Sequence, residues 1–200
     1  MTRSTALRDQ PPPLAIVVGG SAGGIDALNA LLPPLPAQLG IPIVVALHLP
    51  PGQPSMLASL FEPRCALPVH EASDKEPLDA GVYFAPPDYH LLIEPHRSLA
   101  LSVDPPLNYS RPSIDVLFQS AAWAFGPRLL GIVLSGANQD GAAGLRAIRR
   151  AGGAAWVQSP QAAAMPTMPL AALRVAGADC VLMPDAMATR LAALAPARGR

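Results

Sequence analysis

The chain has 200 residues, half of them apolar and 14% charged, with 14 Lys and Arg against 14 Asp and Glu. That is about one domain's worth of chain with enough apolar side chains for a large core, which excludes wholesale disorder and a second full-size domain. A net charge of zero excludes nucleic-acid binding by bulk electrostatics, and no apolar run approaches the ~20 residues that span a bilayer.

Residues 1–13 are a polar lead ending in three prolines, read as mobile and lacking the apolar segment of a secretory signal. Leu14–Val18 is a β-branched run stopped by Gly19-Gly20, which predicts a buried strand. Ile25–Leu32 predicts a helix ended by Pro33-Pro34, Ile41–Leu47 a second strand, and Ser55–Phe61 a short helix after Pro54. Gly81–Phe84, Tyr89–Ile93 and Ser98–Val103 read as a small antiparallel meander or hairpin, inserted at the periphery. Ser113 is placed to N-cap a helix running to Ala124. Leu129–Leu134 predicts another strand. Asp140–Ala151 predicts an amphipathic helix with Arg146, Arg149 and Arg150, ended by Gly152. Ala154–Val157 is a strand, Pro169–Val175 a helix, Cys180–Met183 the last strand and Pro184–Leu194 the last helix.

Strand–helix alternation of this kind predicts an α/β fold: a doubly wound, mostly parallel, Rossmann-like sheet with helices on both faces and an inserted antiparallel β-hairpin. In such sheets the functional crevice lies at the carboxyl ends of the strands. Cys65 and Cys180 form no C-x-x-C, which excludes a zinc ribbon or thioredoxin-like motif. They read as buried free thiols of a reducing compartment, although the spacing leaves a disulfide open. No His, Cys or acidic pair has metal-ligand spacing, so no metal or other cofactor is expected. The chain reads as cytoplasmic, with no direct membrane insertion and no nucleic-acid partner.

Three residues at strand ends carry the chemistry. Gly19-Gly20-Ser21-Ala22-Gly23-Gly24 contains G-x-S-x-G, a serine on a tight strand-to-helix turn, where free N–H groups face a developing oxyanion. By itself the turn equally suits a nucleotide phosphate. His48 follows the second strand, where a dinucleotide-binding chain would place an acid for the ribose. Asp140 follows Leu129–Leu134 and can be either the N-cap of the next helix or the acid that orients His48. Their coincidence at one sheet edge favours a nucleophile, base and acid, with the Ala22 and Ala137 N–H groups as oxyanion donors. The order Ser, His, acid excludes a standard α/β-hydrolase, which runs Ser, acid, His. His90 and His96 are expected at the surface or a core edge, and His70 has no evident partner. Arg111 is expected to pair with Asp115, or else to line the cleft; Arg146 is the other cleft candidate, with a solvated helix surface as its preferred reading.

Six segments in order resemble the catalytic domain of the CheB family, the chemotaxis protein-glutamate methylesterases. They are Gly20-Ser21-Ala22-Gly23-Gly24, His48-Leu49-Pro50-Pro51-Gly52, Ala85-Pro86-Pro87-Asp88-Tyr89-His90, Arg111-Pro112-Ser113-Ile114-Asp115-Val116-Leu117-Phe118, Leu134-Ser135-Gly136 with Asp140-Gly141-Ala142-Ala143-Gly144, and Met168-Pro169. The resemblance runs from about Leu14 to Leu194, so residues 14–196 are expected to form one catalytic domain. It implies Ser21 as nucleophile, His48 as base and Asp140 as acid. It further implies demethylation of glutamate methyl esters, and deamidation of glutamines, on helices of a methyl-accepting chemoreceptor. The resemblance is to the stand-alone form, with no receiver domain before it. Three positions depart from the family pattern: Ala22 for a usual threonine, Gly136-Ala137-Asn138 for Gly-Met-Gly, and Thr167-Met168-Pro169 for Gly-Met-Pro. They leave two other readings open, a degenerate member that binds signalling partners and a nucleotide-binding module. Oligomeric state is not encoded in any motif.

Overall fold

The computed structural model describes residues 12–49, 52 and 54–196. Most of the polar lead and the Pro50-Pro51 pair lie outside them. The last part of the lead is held, since the Pro12 carbonyl accepts the Arg128 Nε–H at 2.9 Å.

Nine strands and six α-helices are seen among the described residues. Seven strands make one sheet: β1 (Ala15–Gly20), β2 (Ile43–Leu47), β3 (Val69–Glu71), β4 (Val82–Phe84), β7 (Leu129–Val133), β8 (Ala154–Gln158) and β9 (Cys180–Leu182), in the order β3-β4-β2-β1-β7-β8-β9. All the pairings within it are parallel. The central strands are buried on both faces, as a parallel sheet clad by helices requires.

The period-2 alternation of side chains divides the core in two. Ile16, Val18, Ile43, Val45 and Ile132 face one layer, with Leu28 and Leu31 of α1 (Gly24–Leu31), Phe61 of α2 (Leu57–Phe61), and Met187 and Leu191 of α6 (Pro184–Ala192). Val17, Val44, Val133 and Val157 face the other. There they meet Ile114 and Phe118 of α3 (Ile114–Phe125), Leu145 and Ile148 of α4 (Ala142–Arg150), and Met168 and Ala172 of α5 (Thr167–Val175). Each such fully buried aliphatic side chain contributes about 1.5–3 kcal/mol relative to exposure.

Three expectations are corrected. The 81–103 segment is not one antiparallel unit. Only β5 (His90–Ile93) and β6 (Leu99–Ser102) form an antiparallel hairpin, packed on α3. Val82–Phe84 instead joins the main sheet between β3 and β2, because it is apolar on both faces and both are covered: Phe84 stacks on Phe61 with centroids 5.5 Å apart, and Tyr83 lies in the opposite core. Gly19 and Gly20 are the last two residues of β1 rather than lying beyond its end. A Cβ on Gly19 would overlap Ile114 Cγ2, so the missing side chain lets α3 sit on the strand. Finally, Cys65 and Cys180 are free, as expected, but only partly buried.

β1 is central, and the chain builds outward from it first through β2 and later through β7. The strand order therefore reverses at β1, where open α/β sheets form their ligand crevice.

Candidate active site

Ser21 directly follows β1. Its backbone N–H donates to the Ser135 carbonyl at 2.9 Å, tying the serine turn to the end of β7. Gly23 has φ of 77°, a left-handed value that glycine adopts without strain, and a Cβ there would meet Ser135 Oγ at 2.7 Å. The turn then enters α1.

His48 stands one residue past β2. Gly20 and Leu47 are register partners, and the His48 N–H donates to the Gly20 carbonyl at 3.2 Å, so Ser21 and His48 leave adjacent parallel strands side by side. The imidazole Nε2 lies 2.9 Å from Asp140 Oδ2. The histidine side chain is 12% exposed and the carboxylate 0%. Asp140 and His48 are thus brought together across 92 residues. Ser21 Oγ makes no hydrogen bond with a described residue, and the nitrogen of His48 not used by Asp140 is Nδ1.

Asp140 does not cap the helix it precedes. α4 begins at Ala142 with Gly141 in the cap position. The carboxylate instead reaches the N-terminus of α3. Oδ2 accepts the Ile114 N–H at 2.7 Å, and Oδ1 accepts the Asp115 N–H at 3.1 Å, the Ser113 hydroxyl at 3.0 Å and the Asn108 amide at 3.1 Å. Burial alone would push this carboxyl up. The hydrogen bonds from His48, Ile114, Asn108 and Asp115 more than offset it and hold Asp140 below the usual carboxylate range. A helix N-terminus adds a favourable dipole at the same point. Ser113 does occupy the N-cap position of α3, but its hydroxyl serves Asp140 rather than its own helix.

Several supporting residues carried no strong sequence signal. His90 is buried, which excludes the surface alternative expected for it. Its Nδ1 accepts the Ser113 N–H at 3.1 Å and its Nε2 donates to the Pro105 carbonyl at 3.1 Å, so both ring nitrogens are satisfied beneath the Asp140 cradle. Asn108 sits with Tyr109 in a two-residue turn closed by mutual Leu107 and Ser110 backbone bonds, with φ of 53° and 61°. Asn tolerates that conformation better than most residues. Ser135 is buried; its hydroxyl donates to the Ala22 carbonyl at 2.7 Å and accepts the Met165 N–H at 2.9 Å. The G-x-S-x-G pattern and the strand ends pointed to Ser21, His48 and Asp140. Of the rest, only Ser113 carried a signal, its helix-cap position; Asn108 went unread.

The Ala22 and Ala137 N–H groups, in the loops after β1 and β7, have no acceptor among the described residues. The arginine expectations fare differently. Arg111 does not pair with Asp115: its Nη1 donates to the carbonyls of Val103 at 2.8 Å and Asp104 at 3.2 Å. Asp115 turns inward to the Gly144 N–H and to Asn108, and burial pushes its carboxyl up, with the charge of Asp140 adding to this and the Gly144 hydrogen bond opposing it. Arg146 is exposed on α4. A cleft of about 580 Å³ adjoins the site, and its walls include Asn108, Tyr109, Asn138, Thr167, Leu170 and Arg174. Neither Arg111 nor Arg146 lines it; the arginine that does is Arg174. Tyr109 and Leu170 stand exposed at its margin.

Comparison with known proteins matches the chain to one family. A sequence model described as CheB methylesterase matches residues 16–191. A putative protein-glutamate methylesterase/protein-glutamine glutaminase of Leptospira interrogans is 45% identical over 169 residues, 84% of this chain and 88% of that protein. A protein-glutamate methylesterase/protein-glutamine glutaminase of Symbiobacterium thermophilum is 38% identical over 154 residues, 76% of this chain and 42% of that protein. The crystal structure of the Thermotoga maritima CheB methylesterase catalytic domain superposes with a TM-score of 0.87 at 29% identity, covering 92% of this chain and all of that one. The chain belongs to the CheB methylesterase family.

Proposed function

We propose that the chain is a serine hydrolase that demethylates glutamate methyl esters on helices of a methyl-accepting chemoreceptor, releasing methanol, and that it deamidates glutamines at such positions by the same route. In this mechanism His48 Nδ1 takes the Ser21 proton as Oγ attacks the ester carbonyl. The Ala22 and Ala137 N–H groups receive the developing oxyanion. Collapse expels methanol, protonated by the imidazolium. A water then enters, loses its proton to His48, and releases the glutamate carboxylate from Ser21. Asp140 holds the imidazole with Nε2 protonated and stabilises its charged form.

The observation that carries this reading is the 2.9 Å His48–Asp140 pair at the sheet edge where Ser21 also stands. It also argues against a nucleotide-binding module, since a histidine occupies the place of the ribose-binding acid. A cytoplasmic location goes with a chemoreceptor substrate; among the described residues no helix is long and apolar enough to cross a membrane. The test is methanol release from methylated receptor by the chain and by Ser21→Ala. Release by the former and none by the latter is expected; release by both would reject Ser21.

A further inference from the structure

Asn138 sits between the cleft and the histidine. Its Oδ1 accepts the Asp140 N–H at 3.1 Å, a side-chain bond to the backbone two residues on that fixes which way the amide points. Nδ2 is therefore the end that faces His48, and it lies 3.5 Å from Nδ1. With Nε2 given to Asp140, the imidazole meets an acceptor at one nitrogen and a donor at the other. That pattern suits the tautomer with the proton on Nε2 and the lone pair on Nδ1. The lone pair is also the one that must receive the Ser21 proton, and in this structure the Asn138 amide nitrogen lies 3.5 Å from Nδ1.

We propose that Asn138 is a positioning residue that occupies His48 Nδ1 in the resting enzyme and must withdraw before Ser21 can pass its proton. The proposal rests on the serine-hydrolase reading above. The contact is long for a hydrogen bond, so it restrains the histidine without trapping it. Asn138 lines the cleft, so a bound substrate chain passes against the amide that has to move.

The test compares Asn138→Ser and Asn138→Ala with the unaltered chain, by the rate at which a small fluorophosphonate labels Ser21 and by the ¹⁵N resonances of the His48 ring. Serine retains a hydroxyl that can accept the Asp140 N–H while removing the amide donor, so it separates loss of the His48 contact from loosening of the loop. Labelling about two- to tenfold faster is expected in both variants, the range a neutral hydrogen bond is worth, together with an Nδ1 resonance shifted toward a free lone pair. Asn138→Asp reverses the contact, since a carboxylate accepts. There Nδ1 should hold a proton and labelling should fall below that of the unaltered chain. Labelling no faster in either the Ser or the Ala variant, with melting unchanged, would overturn the proposal. If Ser21 is labelled in none of the proteins, the serine-hydrolase reading fails. The Nδ1 resonance then decides on Asn138 by itself: a shift supports the contact, and an unmoved signal rejects it.

Discussion

Asp140 accepts the backbone N–H of Ile114 at 2.7 Å, and through that bond the loop after β7 is fastened to the start of a helix 26 residues earlier in the chain. The acid that holds His48 is thereby also the cap of α3. One carboxylate joins the chemistry to the packing, so the two should fail together.

Asp140→Ala is expected to lower stability by at least about 2 kcal/mol, because it strands the buried N–H groups of Ile114 and Asp115 and the Ser113 hydroxyl. Asp140→Asn keeps the shape and should cost less, while slowing ester hydrolysis by about 10²–10⁴-fold. The pH dependence has a definite sign. A carboxyl held low in the folded state contributes stability that is complete above its unfolded value, about 3.9, and is lost as pH falls through the folded value. The stability gap between the unaltered chain and Asp140→Asn should therefore narrow below about pH 4. Denaturant melts of both proteins across that range check it; a constant gap would mean that the fold does not shift the Asp140 carboxyl from its unfolded value.

Gly19→Ala tests the close approach of β1 and α3. Its methyl would overlap Ile114, whose N–H is one of the Asp140 donors. Overpacking of this kind costs about 1–3 kcal/mol. The expected result is a lower melting temperature accompanied by a loss of hydrolysis greater than the loss of fold, since Ile114 cannot shift without moving the acid. Unchanged stability would show that α3 yields at this point.

Much of this arrangement was legible in the sequence. Alternating apolar runs and breakers gave the parallel strands, and the segments that follow β1, β2 and β7 gave the candidates Ser21, His48 and Asp140. The failures have local causes. Val82–Phe84 is only three residues long and stands beside a true hairpin, so its neighbours set its reading; that both its faces are covered emerges only when α2 and the opposite core layer are in place. The His48 partner of Asp140 was expected; its bonds to the start of α3 and to Asn108 were not, because a carboxylate just before a helix normally caps that helix and these partners lie 25 to 32 residues away in sequence, beyond any local pattern. His90 looked peripheral because a short hairpin strand gives no hint that α3 will cover it.

The arginines give a prediction about substrate. Arg174→Ala should slow hydrolysis of methylated receptor several-fold, more so at low salt, and leave p-nitrophenyl acetate nearly untouched, because it lines the cleft and carries a charge that salt screens. Arg146→Ala should affect neither substrate. Arg111→Ala should act through stability, because its guanidinium holds the carbonyls of Val103 and Asp104. Parallel assays with the two substrates, alongside thermal melts, separate these outcomes. Equal loss on both substrates for Arg174→Ala would remove it from substrate recognition.

The central claim is that Ser21 is the nucleophile and His48 its base, and the most direct measurement is the site of covalent capture. The chain is treated with a fluorophosphonate and the modified peptide is identified by mass spectrometry. A single adduct is predicted on Ser21, lost in Ser21→Ala and formed at least 100-fold more slowly in His48→Ala, the lower range for a general base. An adduct on another serine, or labelling of Ser21 at the same rate without His48, would contradict the account.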